Sequence, residues 1–170
     1  DIDMLSALTQ LSNLNLSGMD VMDLEPLSTL IQLRTLSLYG SKYVTDVTPL
    51  STLTQLRTLF LSKTGISDIS ALSTLTQLSE LSLDQTNISD VSALSTLNQL
   101  STLDLGGMIV SDVSALSTLT QLSKLSLRAT YVSDVSALST LKKLRVLDIG
   151  QTCISNTSAF SSLSNLNIFH

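Results

Sequence analysis

Leucine recurs along this chain with two alternating spacings. A short stretch of period two, L-x-L, is followed by a longer stretch of period three, and together they make a unit of 22 residues. Aligned on the leucine that follows Thr-Gln or its equivalent, the anchors fall at Leu11, Leu33, Leu56, Leu78, Leu100, Leu122, Leu144 and Leu166, every step being 22 residues except one of 23. Such a unit cannot bury its leucines alone, so stacked units must share one continuous core. The period-two stretch predicts a strand in each turn. Leu14/Leu16, Leu36/Leu38, Leu59/Leu61, Leu81/Leu83, Leu103/Leu105, Leu125/Leu127 and Leu147/Ile149 point inward and their neighbours outward. Successive turns run the same way, which requires a parallel sheet with strands about 4.8 Å apart.

The period-three stretch, as in Leu72, Leu75, Leu78 and Leu81, places one leucine per turn of a 3₁₀ helix on a single face. Thr48, Ser70, Ser92, Ser114, Ser136 and Ser158 stand where N-caps are expected, just ahead of Pro49, Ala71, Ala93, Ala115, Ala137 and Ala159. Proline and alanine share a column because the first helical position needs no N–H and favours proline's φ. Glu25-Pro26 fits the same place with a weaker cap.

The unit L-x-x-L-x-L-x-x-(N/T/C)-x-(I/V), followed by S-D-(V/I) and the return leg, resembles the leucine-rich repeat. The short 22-residue form looks like the internalin and SDS22-like class, and is also similar to trypanosomatid-type leucine-rich repeat proteins that carry Thr or Cys where others have Asn. The resemblance implies an α/β right-handed solenoid with a concave parallel β-sheet and short 3₁₀ segments on its convex side. It would span residues 1–170 as one leucine-rich-repeat unit of about seven full turns, with partial turns at both ends. Because the chain starts in mid-repeat, a piece of a longer protein is expected.

In this family the Asn position forms a hydrogen-bonded ladder to the backbone of the turn. Here the column reads Met19, Ser41, Thr64, Thr86, Met108, Thr130 and Thr152. A Thr hydroxyl can donate and accept, whereas Met can do neither usefully, so gaps are expected at Met19 and Met108, and Met108→Asn should be neutral or stabilising. The 23-residue step falls around Lys42 and Tyr43 and should bulge at the loop edge without disturbing the core.

Composition changes the picture in few places. Hydrophobic residues make up 43% of the chain but aromatics only 4%, so the core is Leu, Ile and Val, and large binding anchors are scarce. The formal charge is −5, yet seven acids occupy one repeated position, Asp1, Asp23, Asp46, Asp68, Asp90, Asp112 and Asp134. With one acid per turn and no Gly-rich loop, these are expected to cap turns rather than to form a calcium ladder. Nothing is basic enough to indicate a nucleic-acid surface, and no apolar run approaches the roughly 18 residues of a membrane span.

The single cysteine, Cys153, excludes a disulfide framework within the chain and a Cys-rich zinc site. It favours a reducing interior, although a cell-surface location stays open. A Cys153–His170 dyad would have to be assembled across the end of the coil. No catalytic, metal or cofactor site is expected. The sequons at Asn15, Asn87 and Asn156 are about as many as a Ser/Thr-rich chain carries by chance.

The return leg is nearly monotonous while the outward strand positions vary, and variation points to recognition. Arg34, Tyr39, Arg57, Phe60 and Lys63 form the first candidate surface, with two arginines in one column flanking the aromatics of the strand face. Like charges on neighbouring strands cost energy when free, and Arg and Tyr are favoured at interface hot spots. A second group, Glu80, Asp84, Asp104, Lys124, Arg128, Val146 and Asp148, mixes signs and can satisfy itself. Ile109, Tyr131 and Cys153 form a loop-edge column that could serve as a partner ledge, with packing on the adjacent turn the leading explanation. The leading reading is a non-enzymatic module binding another protein on the concave face. The alternatives are a spacer or assembly segment, and a substrate-recognition arm of an enzyme whose catalytic domain lies elsewhere.

Overall fold

The computed structural model describes residues 2–163 and 165–170. Eight three-residue strands, β1 (Asn13–Asn15), β2 (Thr35–Ser37), β3 (Thr58–Phe60), β4 (Glu80–Ser82), β5 (Thr102–Asp104), β6 (Lys124–Ser126), β7 (Val146–Asp148) and β8 (Asn167–Phe169), pair in chain order in one parallel sheet. The central leucines stand opposite one another, Leu36 to Leu59, Leu81 to Leu103 and Leu125 to Leu147. Each return leg carries a short 3₁₀ segment, such as Ser70–Thr74, Ser92–Thr96 and Ser114–Thr118. This is the leucine-rich-repeat solenoid, coiled about a column of leucines.

The core repeats turn by turn. In the fourth, Leu81, Leu83, Ile88, Val91, Leu94, Leu97 and Leu100 are all buried, and the same columns are buried in the turns on either side. Each such side chain contributes about 1.5–3 kcal/mol by leaving water. Among the described residues, every buried side-chain nitrogen or oxygen has a hydrogen-bond partner.

The caps are built differently from the expectation. No side-chain cap comes from Ser or Thr at the start of the 3₁₀ segments, and Ser70, Ser92, Ser114 and Ser136 are themselves the first helical residues. Their N–H groups donate to the carboxylate two residues earlier, Asp68, Asp90, Asp112 and Asp134, at 2.8 Å, and Thr48 donates likewise to Asp46. Asp23 receives the N–H of Glu25, and Asn156 that of Ser158. The Asp column is therefore a row of turn caps, as its spacing suggested. Asp1 lies outside the described residues. The N–H of Ser70 holds the Asp68 carboxyl below its usual range, as the corresponding N–H groups do for Asp112 and Asp134. For Asp46 the Thr48 hydroxyl is the larger cause.

The monotony of the return leg also has a physical cause. Thr52, Thr74, Thr96, Thr118 and Thr140 each donate a hydroxyl hydrogen bond to a serine carbonyl of the preceding turn, at 2.7–2.9 Å. On the other side of the coil, Ser79, Ser101 and Ser123 donate to the carbonyls of Arg57, Ser79 and Ser101. Two polar seams thus tie each turn to the one before.

The 23-residue turn bulges at Lys42 and Tyr43, both exposed, while Ser41 and Val44 remain buried. The next turn accommodates it with Gly65, where a Cβ would stand 2.9 Å from the Lys42 carbonyl oxygen. The last turn is one residue short at the sheet, since Leu147 pairs with Ile168 rather than with the residue 22 further on. His170 consequently lies just past β8 instead of within a strand column.

Candidate protein-binding surface

The polar column after the strands bonds the backbone of the turn, as the resemblance implies for this position. Thr64, Thr86 and Thr130 are buried, and each hydroxyl donates to a carbonyl three residues back in its own turn, those of Leu61, Leu83 and Leu127, at 2.6–2.7 Å. Ser41 alone of this group reaches the preceding turn, at the Leu16 carbonyl. Met108 is 1% exposed and belongs to the core, whereas Met19 is 46% exposed. The expectation that Met108 leaves a polar gap is thus corrected: its flexible thioether chain fills the volume that the threonines fill elsewhere.

One residue before this column the backbone is left-handed in every turn, at Gly18, Gly40, Lys63, Gln85, Gly107, Ala129 and Gln151. The shared glycines at 18, 40 and 107 were the available sequence signal. At Lys63 and Gln85 the conformation sends the chain sharply away from the sheet, so the strand-end edge presents these side chains to solvent.

The structure divides the first candidate group. Arg34 and Arg57 are adjacent, the Arg57 N–H donating to the Arg34 carbonyl at 2.8 Å, and both immediately precede their strands. Tyr39 and Lys63 lie at the opposite edge, beyond the strand ends. There Lys63 Nζ donates to Tyr39 Oη at 2.6 Å and stands 5.0 Å from the ring centroid. That hydrogen bond, helped by the nearby Asp84 carboxylate, raises the Lys63 ammonium above its ordinary pKa. Phe60 ends β3 between the two edges and is half-buried. Tyr39 is not a strand residue, and the 21-residue step brings a further aromatic, Phe169, onto the strand face beside Asp148. Beside the Tyr39–Lys63 pair, Lys42 Nζ lies 4.8 Å from the Tyr43 ring centroid.

Of the second group, Asp84, Asp104, Arg128 and Asp148 surround a hollow of about 390 Å³ at the strand-end edge, floored in part by Gly106 and Gly107. Their carboxylates accept from neutral donors of their own turns. Asp104 and Asp148 take the N–H of Gly106 and Gly150, and Asp84 takes Ser82 Oγ and Gln85 Nε2. Glycine leaves room beside Asp104, since a Cβ at residue 106 would sit 3.2 Å from the Asp104 oxygen. Lys124 stands apart at the start of β6. Ile109 and Tyr131 are 56% and 67% exposed, and Cys153 is exposed as well. The expected packing of that ledge on its neighbours is therefore corrected. Its backbone is tied to the adjacent turn, with the Tyr131 N–H donating to the Val110 carbonyl, while the side chains face solvent.

Among the described residues, no three His, Cys, Asp or Glu side chains are grouped so as to hold a metal ion. No helix formed by those residues is long and apolar enough to cross a membrane.

Residues 54–96 match the family described as leucine-rich repeats in two copies. No curated protein matches the chain. Among solved structures, an internalin, InlF, from Listeria monocytogenes is 36% identical with a TM-score of 0.95, and the alignment covers 99% of this chain and 50% of that one. Internalin C2 of the same species is 30% identical with a TM-score of 0.92, covering 96% of this chain and 73% of that one. A plant peptide hormone receptor, RGFR1, solved in complex with RGF2, shares the fold alone at 16% identity and a TM-score of 0.79, over 98% of this chain and 29% of that one. The chain thus spans half the length of the InlF structure and about three quarters of internalin C2. With the repeat, the register and the similarity to internalin C2 in agreement, the chain belongs to the internalin class of leucine-rich-repeat proteins.

Proposed function

We propose that this chain is a non-enzymatic protein-binding module whose partner lies across the concave sheet of the second and third turns, against Arg34, Tyr39, Arg57, Phe60 and Lys63. The observation that carries this reading is the contrast between faces. The convex Thr–Ser seam repeats almost unchanged from turn to turn, whereas the concave positions on the same backbone vary in size and charge, from Thr58 to Glu80, Lys124 and Val146 at the strand starts and from Ser37 to Phe60 and Asp104 at the strand ends. Extended concave surfaces are the usual binding faces of solenoids, and RGFR1, a plant peptide hormone receptor of this fold, has been solved in complex with RGF2.

The chemistry of the patch favours an acidic partner with an apolar element. Arg34 and Arg57 are held on neighbouring backbones, and an incoming carboxylate would relieve their mutual repulsion. Tyr39 and Lys63 are already paired, so little side-chain freedom is left to lose on binding. Phe60, half-buried between the edges, supplies the apolar element.

The test is affinity capture from the source cells with two charge-reversed variants, each checked first for an unchanged melting temperature. Arg34→Glu/Arg57→Glu is expected to lose the partner and Asp84→Lys/Asp104→Lys to keep it. The opposite outcome moves the site to the acidic hollow, and retention by both would indicate a spacer.

A further inference from the structure

The structure sorts the nine lysines and arginines of this acidic chain onto two edges of the coil. Arg34, Arg57, Lys124, Lys142, Lys143 and Arg145 lie where the strands begin, and all six are exposed. Lys42, Lys63 and Arg128 lie where the strands end. The row of capping aspartates runs along that second edge, in the loops leading from the strands to the 3₁₀ segments. An overall charge of −5 therefore conceals one cationic long edge, along which Glu80 at the start of β4 is the acid of the described strand-start positions.

This edge is densest in the sixth and seventh turns. Lys124 opens β6, and Arg145 immediately precedes Val146, the first residue of β7. Lys142 and Lys143 occupy the turn leading into that strand. The hydrogen bonds these groups make go to neutral acceptors: Lys142 Nζ to Ser162 Oγ at 3.0 Å, Lys143 Nζ to Gln121 Oε1, and Arg145 Nη1 to the carbonyls of Lys142 and Leu144 at 3.3 and 3.1 Å. The contacts orient the cations without neutralising them. The patch is also continuous with the concave sheet through Lys124 and the half-buried Val146.

We propose that the strand-start edge around Lys124, Lys142, Lys143 and Arg145 is a second docking site that takes a short acidic segment of a protein. The proposal rests on the reading that the concave sheet binds protein, since a partner seated there would run onto this edge. Four cations on two consecutive turns, about 4.8 Å apart in the stacking direction, match a brief run of carboxylates. A long polyanion running along the edge fits less well, because beyond Lys124 it would have to pass Glu80 at the start of β4. A lipid surface is disfavoured because, among the described residues beside the four charges, the apolar side chains Val146 and Leu166 are only half-exposed.

The experiment uses the whole chain and a fluorescent octaglutamate peptide as probe, titrated by anisotropy at low and at physiological ionic strength. Wild type is expected to bind at low salt and to weaken as salt rises. Lys142→Gln/Lys143→Gln should weaken binding about tenfold. Ser89→Glu/Ser111→Glu, which makes the same change in net charge on the far edge, should change it less than about twofold. Equal losses in the two variants would reduce the effect to bulk charge and overturn the site, as would the absence of wild-type binding. Tighter binding of a sulfated polysaccharide or of phosphatidylserine vesicles than of the peptide would overturn the protein assignment. This titration needs no natural partner, so its failure leaves the Arg34/Arg57 capture experiment standing, and the reverse also holds.

Discussion

The fourth and fifth turns solve the same problem by opposite means. Both bury the same columns of leucine, both cap the return leg with an aspartate, and both tie a threonine to the previous turn. They differ in how the backbone leaves the sheet. The fourth uses Gln85 in a left-handed conformation followed by Thr86, whose hydroxyl bonds the Leu83 carbonyl. The fifth uses Gly107 in the same conformation followed by buried Met108. The path of the turn is thus imposed by stacking on both neighbours. The side chain that follows has only to fill the space, with or without a hydrogen bond.

The strongest way to break this comparison is through the shared core. Leu81→Ala and Leu103→Ala should each cost about 2–5 kcal/mol, because a cavity adds to the lost transfer energy. Thr102→Ala, on the outward side of β5, should cost less than about 0.5 kcal/mol. Urea midpoints for the three variants measure the difference. Similar losses at Leu103 and Thr102 would mean that inward and outward faces are exchanged, since a one-residue slip turns every side chain over.

The closing residues come next. Met108→Asn should destabilise by about 2 kcal/mol, the scale of a buried amide left without full hydrogen bonding plus lost packing. Met108→Thr should cost less than Met108→Asn, because a hydroxyl there can bond the Leu105 carbonyl as Thr86 bonds Leu83. If Met108→Asn proves neutral in thermal unfolding, the turn has a polar partner to offer and the two closures are interchangeable.

A smaller effect of opposite sign tests the left-handed column. Gln85→Gly should stabilise by about 1 kcal/mol, since glycine adopts positive φ without the Cβ penalty. Gly107→Gln should destabilise, because it combines that penalty with a Cβ 3.1 Å from Gln85 Cγ. Equal shifts of the same sign would show that turn strain is not what separates these residues.

The smallest effect concerns the caps. Asp112 has its folded pKa held below the ordinary carboxylate value by the N–H and hydroxyl of Ser114, so near pH 4 the folded chain binds fewer protons than the unfolded one. Stability therefore rises with pH through that range; the contribution is full above the unfolded pKa and is lost as pH falls through the folded pKa. Asp112→Asn should keep the accepting oxygen, as Asn156 does in the last turn, and flatten this dependence. Asp112→Ala should lose both the bond and the dependence. Melting temperatures across pH 3–7, on the scale of carboxylate titration, read the outcome, and an unaltered slope in Asp112→Asn would remove the cap from the acid response.

Most of the architecture was legible beforehand because its cause is periodic. Leu125, Leu127 and Leu144 declare their faces by spacing alone, and the bulge at Lys42 and Tyr43 shows as one extra residue. The caps were half legible: the Asp column was recognised as turn-bonding, but Ser70 and its equivalents are donors rather than caps. At the surface, spacing put Tyr39 among strand residues and could not show that Lys63 would bond its hydroxyl across 24 positions of sequence. The cationic edge is not legible in the spacing, because Lys142, Lys143 and Arg145 lie outside the strand columns.

The sequence by itself determined that the chain coils, that its strands are parallel and which leucines face inward. Burying apolar side chains at fixed intervals admits few other solutions, and each interval is visible within a single repeat. Only the tertiary structure decided that Thr74, Thr96 and Thr118 would stitch the convex side, that Met108 would be core, that Gly65 would make room for the bulge, and that β8 would pair one residue early. Each depends on the offset between one turn and the next. A hydroxyl, a thioether or a Cβ meets its partner about a full repeat away, and stacking, which is a relation between repeats, sets that distance.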